Sequence, residues 1–116
     1  MINEPRFKVA FYRSQSGKEP VRDWLKDLSL EDKKIIGADI KTVQFRWPSG
    51  MPLVRKLEPD LWEVRSNTTA GIARILFTIQ LEYIILLHSF IKKSARTPLD
   101  DLSVARNRLA QIRGDK

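Results

Sequence analysis

The fold of this chain is decided by residues 72–90, which read IARILFTIQLEYIILLHSF. Successive side chains of a strand point to opposite faces of a sheet, and residues 72–79 carry only apolar side chains on one of those faces. Residues 83–87 are apolar on both faces, and a tight turn joins them to the preceding segment. We therefore predict two neighbouring strands, the second of which passes through the hydrophobic core.

Further strands are predicted on the N-terminal side of this hairpin. Residues 53–58 and 61–65 have strand character and are separated by Pro59-Asp60, a pair typical of turns. A loop over residues 66–71 then leads to residue 72. Residues 7–12 (FKVAFY) alternate well enough for one more strand near the start of the chain.

Three helices complete the prediction. Pro20 suits the first turn of a helix, and apolar residues follow it at helical spacing. Ser29 resembles the start of a capping box for a second helix, which residues 48–50 end, and a third helix begins after Pro98. The element order predicts an α+β fold, with two N-terminal helices and a C-terminal helix on a small, largely antiparallel sheet. We expect one domain over residues 1–116.

The composition favours an anionic partner. The net charge is +7 and the isoelectric point is about 10.0, which suits nucleic acid, an acidic protein or a membrane surface. Cysteine is absent and there is one histidine, so we expect neither a disulfide framework nor a metal site, and no cofactor. The N-terminus lacks the apolar stretch of a signal peptide, and residues 83–87 are too short to cross a bilayer. We expect a cytoplasmic protein with no membrane role.

Alternation along the strands predicts a charged outer face of the sheet. If the apolar sets share one core, Trp62 pairs near Ile75 and Glu63 pairs near Arg74. A two-residue turn at 59–60 would put Lys56 beside Glu63. The predicted outer face carries four charged side chains: Lys56, Glu63, Arg65 and Arg74. Two interpretations remain open, a solvated face of cross-strand ion pairs worth roughly 0.2–1 kcal/mol each or a phosphate-binding surface.

A second cluster of cations follows the last strand, in residues 88–98 (HSFIKKSARTP). Because residues 83–87 are apolar on both faces, alternation does not decide which side His88 and Phe90 occupy. Each of these two residues is a common core residue as well as a candidate for catalysis or base stacking. Lys92 and Lys93 are adjacent, so in an extended segment they point to opposite sides.

Three blocks of this sequence resemble the HigB-like, phage Gp49-like branch of the RelE/ParE toxin superfamily. They are residues 54–65 (VRKLEPDLWEVR), residues 74–77 (RILF) and residues 86–98, followed by Ala105 and Arg108 in the last helix. The resemblance covers roughly residues 7–109. Asp60, Ser89 and the segment 93–98 depart from the pattern of the family, but no cation is lost. Only the geometry of the turn at Asp60 is affected.

The resemblance implies a RelE-like fold and the toxin of a type II toxin–antitoxin system. Such toxins are typically ribosome-dependent mRNA endoribonucleases that inhibit translation. Their partners would be mRNA on the ribosome and a cognate antitoxin, in this branch often a helix-turn-helix protein similar to HigA. Other interpretations are a ParE-like toxin that targets gyrase, a non-catalytic basic nucleic-acid-binding module, and an inert prophage relic.

RNA cleavage without a metal needs cations for the phosphate and groups that move protons. We predict that Arg65 and Arg74 bind the phosphate, helped by further cations: Lys56, Arg96, and Lys92 or Lys93. Glu63 would orient Arg74 or Lys56, or serve as the base. His88 is the one side chain whose ordinary pKa lies near neutrality, which makes it the natural acid or base. Phe90 or Trp62 would stack on a base.

Overall fold

The structure is a computed structural model that describes residues 5–48, 50, 52–92 and 97–114. It confirms the predicted α+β class and element order. In chain order the elements are β1 (Lys8–Phe11), α1 (Pro20–Lys26), α2 (Leu30–Arg46), β2 (Val54–Glu58), β3 (Leu61–Thr68), β4 (Gly71–Gln80), β5 (Tyr83–Lys92) and α3 (Leu99–Arg113).

The strands form one sheet in the order β1-β5-β4-β3-β2. β2 to β5 are an antiparallel meander, whereas β1 runs parallel to β5. β1 reaches that position because the chain crosses over through α1 and α2 before the meander begins. Residues 83–87 are apolar on both faces because both faces of β5 are covered: Ile84 and Leu86 pack in the core beneath α1 and α2, and Ile85 and Leu87 pack in a second core beneath α3.

One face of the sheet packs against α1 and α2. Its core joins Ala73, Ile75 and Phe77 of β4 to Ile36 and Val43 of α2, as alternation predicted. Trp62 lies on the same face, in contact with Trp47 and Phe77 through ring centroids 5.2 and 6.0 Å apart. This face therefore holds the main core of the domain.

The opposite face is not a solvated surface, which corrects one of the two interpretations of its charges. A second core cluster lies there, in which Leu61, Leu76 and Leu87 pack against Ala105 and Leu109 of α3. An irregularity in the β4–β5 ladder at Leu76 and Phe77 leaves Leu87 unpaired, so Leu87 and the next residue, His88, both face α3, whereas Leu86 faces the main core. Alternation identified the apolar face but gave no sign that α3 would cover the other one.

The register between β3 and β4 differs from the predicted one by two residues. Trp62 pairs with Phe77, and Arg65 pairs directly with Arg74. The strands extend to Thr68 and from Gly71, so the predicted loop over 66–71 is a tight turn. A shift of two residues keeps every side chain on its predicted face, which is why the face assignments hold although the pairing was wrong.

Lys56 lies on the other face from the one predicted. Glu58 pairs with Leu61 across the turn, but a bulge between Lys56 and Glu58 shifts the residues before it by one position. Lys56 therefore pairs with Trp62, and its Nζ lies 5.9 Å from the centre of that ring. Arg55 takes the place opposite Glu63.

The start of α2 is tied to the β3–β4 turn by a buried carboxylate. Ser29 Oγ caps the helix by accepting a hydrogen bond from the Asp32 amide at 3.2 Å, as the sequence predicted. The Asp32 side chain is 3% exposed and accepts hydrogen bonds from the amide and hydroxyl of Thr69. Helix capping and the sheet turn are thus coupled through one residue.

Candidate functional site

Two cross-strand rows place charged residues together on the face that α3 partly covers. The first row joins four residues that are direct partners in successive strands: Arg55, Glu63, Leu76 and His88. The second row joins Arg65, Arg74 and Phe90 in the same way. The structure therefore brings three arginines around Glu63, and two of them are the predicted pair Arg65 and Arg74. We call Arg55, Glu63, Arg65 and Arg74 the arginine cluster.

A buried ion pair lies at the centre of the arginine cluster. Arg74 Nη1 is 3.8 Å from Glu63 Oε2, and both side chains are fully buried. Thr97, which precedes α3, donates its hydroxyl hydrogen to the same Glu63 oxygen at 2.6 Å. The Glu63 carboxylate is therefore held both by Arg74 of β4 and by Thr97 of the segment that precedes α3.

The pKa of Arg74 reflects the excess of positive charge in the arginine cluster. Burial lowers the pKa of Arg74, the nearby Glu63 carboxylate opposes that shift, and the positive charges of Arg65 and Arg55 lower the pKa further. The guanidinium nevertheless keeps its charge, since arginine is not deprotonated in proteins at neutral pH. Three cations around one carboxylate leave an excess of positive charge that an anion would relieve.

Access to the arginine cluster runs through Arg55 and Arg65. Arg55 is exposed and Arg65 is half-buried, whereas Arg74 does not reach solvent. Within the described part of the chain, Glu63 Oε1 and Arg65 Nε are buried atoms without a hydrogen-bond partner. Buried polar atoms normally have one, so the cluster has hydrogen-bonding capacity left for a ligand or water.

Arg65 also lines a cavity of about 460 Å³ beside the arginine cluster. Its walls come from α2, from the chain just before β2, and from β3 and β4: Ile35, Asp39, Pro52, Leu53, Asn67 and Ile72. The lining combines apolar side chains with a carboxylate, an amide and a guanidinium. Its volume lies within the range typical of ligand sites, and Arg65 is the cation that borders it.

His88 faces α3, which decides the orientation that alternation left open. Its Nε2 lies 2.7 Å from Asp101 Oδ1, and its Nδ1 lies 3.5 Å from Arg108 Nη1. The same Arg108 nitrogen donates to the Leu87 carbonyl at 2.8 Å, and burial lowers the pKa of Arg108. The short contact to Asp101 orients the ring, and the long contact to Arg108 lies at the outer limit of a hydrogen bond.

The two aromatic residues proposed for base stacking are packed inside the protein. Phe90 is partly buried against the α3 core cluster, with its ring 5.6 Å from that of His88. Trp62 belongs to the core on the opposite face of the sheet. Phe90 therefore borders the arginine cluster through its pairing with Arg74, while Trp62 is separated from it by the sheet.

Of the remaining predicted cations, Lys56 is the one that the described part of the structure places, and it lies outside the arginine cluster. Lys56 is on the far side of the sheet because of the bulge in β2. Lys92 ends β5, and its side chain lies outside the described part of the structure, as do the predictions for Lys93 and Arg96. The structure thus leaves those three roles as predictions.

Sequence reasoning gave no role in the site to Arg55, Asp101 or Arg108, although Arg55 and Arg108 lie among the residues that carry the family resemblance. Arg55 is adjacent to Lys56, and only knowledge of the bulge would have favoured it. Asp101 and Arg108 are seven residues apart in α3, a spacing that places them on one side of a helix. That spacing was a usable signal, but it did not say what the pair would contact.

The described residues contain no group of three or more His, Cys, Asp or Glu side chains placed to hold a metal ion. Among their helices, none combines the length and apolar character needed to cross a bilayer.

Comparison with known proteins identifies related sequences at the family level. A family model described as "Phage derived protein Gp49-like (DUF891)" matches residues 23–110, which is most of the chain and includes every residue of the arginine cluster. No curated protein matches the chain.

Proposed function

Because the chain belongs to the Gp49-like family of phage-derived proteins, a family of RelE/HigB-like toxins, we propose that it cleaves mRNA on the ribosome as a type II toxin. One observation carries the chemical part of this proposal. Arg55, Arg65 and Arg74 surround a single carboxylate on adjacent strands of a rigid sheet. Such an excess of guanidinium groups is suited to binding phosphate and to stabilising the charge that develops when a phosphodiester is cleaved.

The reaction is an intramolecular transfer. The ribose 2′-oxygen attacks the adjacent phosphorus as its proton is removed, the bond from phosphorus to the 5′-oxygen breaks, and that oxygen takes up a proton. The products are a 2′,3′-cyclic phosphate and a free 5′-hydroxyl. Positive charge is needed at the non-bridging oxygens, and guanidinium groups supply it without a metal or cofactor.

The roles within the arginine cluster follow from exposure. Arg55 and Arg65 are placed to contact the non-bridging oxygens, since they are the accessible members. Arg74 acts from beneath them through its charge, and Glu63 orients it at 3.8 Å. Glu63 is not our candidate for the base, because Thr97 and Arg74 already engage it.

His88 is our candidate for proton transfer. If Asp101 accepts the Nε2 hydrogen, the lone pair of the ring is on Nδ1. Nδ1 would then exchange a proton with the RNA once its 3.5 Å contact to Arg108 has opened. Lys92 or Lys93 would share the task of neutralising the phosphate, and Arg96 would extend RNA binding. The site of action would be the cytoplasm, where ribosomes translate mRNA.

A second candidate, a non-catalytic nucleic-acid-binding module, draws on two of the same observations. Arg74 is fully buried, and both ring nitrogens of His88 contact protein groups. Such a module would bind RNA without turnover. A ParE-like toxin would instead produce DNA breaks through gyrase.

Mapping of new 5′ ends on a reporter mRNA tests these alternatives. Wild-type protein, Arg65→Ala and Lys56→Ala are added to a purified bacterial translation mixture with and without ribosomes. We expect new ends only with ribosomes, their loss in Arg65→Ala, and their retention in Lys56→Ala, which changes a cation on the other face of the same sheet. Absence of new ends with the wild-type protein would contradict the ribonuclease proposal.

A further inference from the structure

An apolar groove with a cationic rim lies on the side of the sheet away from the arginine cluster. It is bounded by the end of β1 and by helices α1 and α2. Its floor and walls are apolar side chains: Phe11, Leu25, Ile36 and Ile40. Its rim carries three cations, Arg22, Lys26 and Lys33, and no acidic residue lines it. We call this the α1–α2 groove.

We propose that the α1–α2 groove receives an acidic amphipathic helix of a partner protein. The identification of that partner as the antitoxin rests on the function proposed above. An amphipathic helix places apolar side chains into such a groove at positions i, i+3, i+4 and i+7, and its flanking carboxylates would meet the rim. The volume of the groove, about 270 Å³, is below the range of about 300–1,000 Å³ typical of small-molecule sites.

The charge around the groove supports an acidic occupant. Lys26 and Lys33 are exposed and extend from two different helices toward the same opening. Arg22 is joined to Glu19 at 3.2 Å, but Glu19 is not part of the lining. Cations gathered at an apolar opening would repel a basic segment and attract a carboxylate-bearing one.

Gly37 is a second, independent feature of the groove. It lies in the interior of α2, where glycine is the least favourable residue except for proline. A Cβ atom built at Gly37 would meet nothing within 4 Å, and its backbone φ is not positive, so neither crowding nor backbone conformation in this chain requires glycine. What the missing side chain does is keep the α1–α2 groove open.

Leu30 extends the apolar strip beyond the groove. It is 68% exposed and precedes Lys33 by three residues and Gly37 by seven, which places it on the same side of α2. An exposed leucine in line with an apolar groove lengthens the contact that an approaching helix would make. The covered stretch of α2, from Leu30 to Ile40, would then be about three turns.

The test uses the protein encoded by the gene that adjoins this one, as the prospective antitoxin. Calorimetry measures the affinity of that protein for the full chain carrying Arg65→Ala, a change that limits toxicity. This parent is compared with three variants that also carry Gly37→Phe, Gly37→Ala or Lys33→Glu. We expect Gly37→Phe to weaken binding by at least about tenfold and Lys33→Glu by about three- to tenfold, with lower salt sensitivity. Gly37→Ala should bind as the parent does, because a methyl group leaves most of the groove free.

The variants should remain folded, since Gly37 faces open space and Lys33 is exposed; circular dichroism and thermal unfolding verify this. Twenty-residue peptides that tile the adjoining protein then identify the bound segment, which should be acidic and should become helical on binding. Undiminished binding by Gly37→Phe, or a bound segment that is basic or non-helical, would overturn the groove proposal alone. No binding to the parent protein would overturn it together with the toxin–antitoxin assignment. Self-association that Gly37→Phe abolishes would make a second copy the occupant and would also overturn it.

Discussion

Arg74 Nη1 and Glu63 Oε2 are 3.8 Å apart, and neither side chain reaches solvent. A buried charge is tolerated when a partner compensates it, and removal of one partner leaves the other in a medium that solvates it poorly. The pair therefore serves two purposes. It keeps Arg74 charged beneath Arg55 and Arg65, and it couples the stability of the sheet to the site.

Glu63→Gln should destabilise the protein strongly, because it leaves Arg74 next to two other cations without the compensating carboxylate. We expect the free energy of unfolding to fall by about 3–5 kcal/mol, measured by urea denaturation. Replacing Arg74 as well, in Glu63→Gln/Arg74→Met, should recover part of the loss. Glu82→Gln is the control, since Glu82 pairs with Lys8 at 3.8 Å on the surface and should change stability by less than about 1 kcal/mol. If Glu63→Gln lowered the free energy of unfolding by no more than this control does, the role given to the buried pair would be contradicted.

Arg55 and Arg65 should contribute separately to the binding of single-stranded RNA. Each phosphate contact contributes about 0.7 to the slope of log affinity against log salt concentration for single strands. Arg55→Ala and Arg65→Ala should therefore each reduce the slope by roughly 0.7, as measured by fluorescence anisotropy of a labelled oligonucleotide over a range of salt. Lys56→Ala changes the neighbouring residue on the opposite face. If Lys56→Ala reduced the salt slope as much as Arg55→Ala does, RNA binding would depend on the net charge of the protein rather than on the arginine cluster.

Asp101→Asn should lower the rate of RNA cleavage with little effect on RNA binding. The Asp101 carboxylate lies 2.7 Å from His88 Nε2. An amide in its place would no longer fix the tautomer of the ring, that is, which nitrogen carries the hydrogen. We expect kcat to fall by about 10²-fold or more, in line with the usual contribution of general acid–base catalysis, and KM to stay nearly constant. Asp100→Asn is the matched control, because both acids lie in the first turn of α3 and affect the helix dipole alike. Equal activity of the two variants would remove His88 from the proposed proton transfer.

Asp32→Ala should destabilise the domain without affecting the chemistry of the arginine cluster. The change removes the hydrogen bonds that the amide and hydroxyl of Thr69 donate to a buried carboxylate, at a cost of about 1.5–3 kcal/mol. Ser29→Ala should cost about 1 kcal/mol through the loss of the helix cap. Glu31→Ala, at an exposed position of the same turn, is the control and should stay within about 0.5 kcal/mol of the wild-type protein. Chemical denaturation monitored by circular dichroism measures all three, and a neutral Asp32→Ala would show that its hydrogen bonds add nothing to stability.

Local patterns in the sequence were sufficient for the elements and for the facing of β3 and β4. The apolar alternation of residues 72–79 and the Ser29 cap are short-range features, and a two-residue error in register did not move Arg65 or Arg74 to the wrong face. The same patterns did not locate Lys56, because a bulge is an irregularity of pairing between strands. They also did not orient His88, since Leu87 is an extra residue in an apolar run.

The sequence by itself determined the α+β class, the order of the elements, the family resemblance and the excess of positive charge. Each of these depends on residue identity and on spacing along the chain. Only the tertiary structure decided that α3 covers the second face of the sheet, that Arg74 and Glu63 are buried, and that Arg55 replaces Lys56 beside them. Those features arise where distant segments meet, and burial of a charge is settled by what packs over it rather than by its neighbours in the chain.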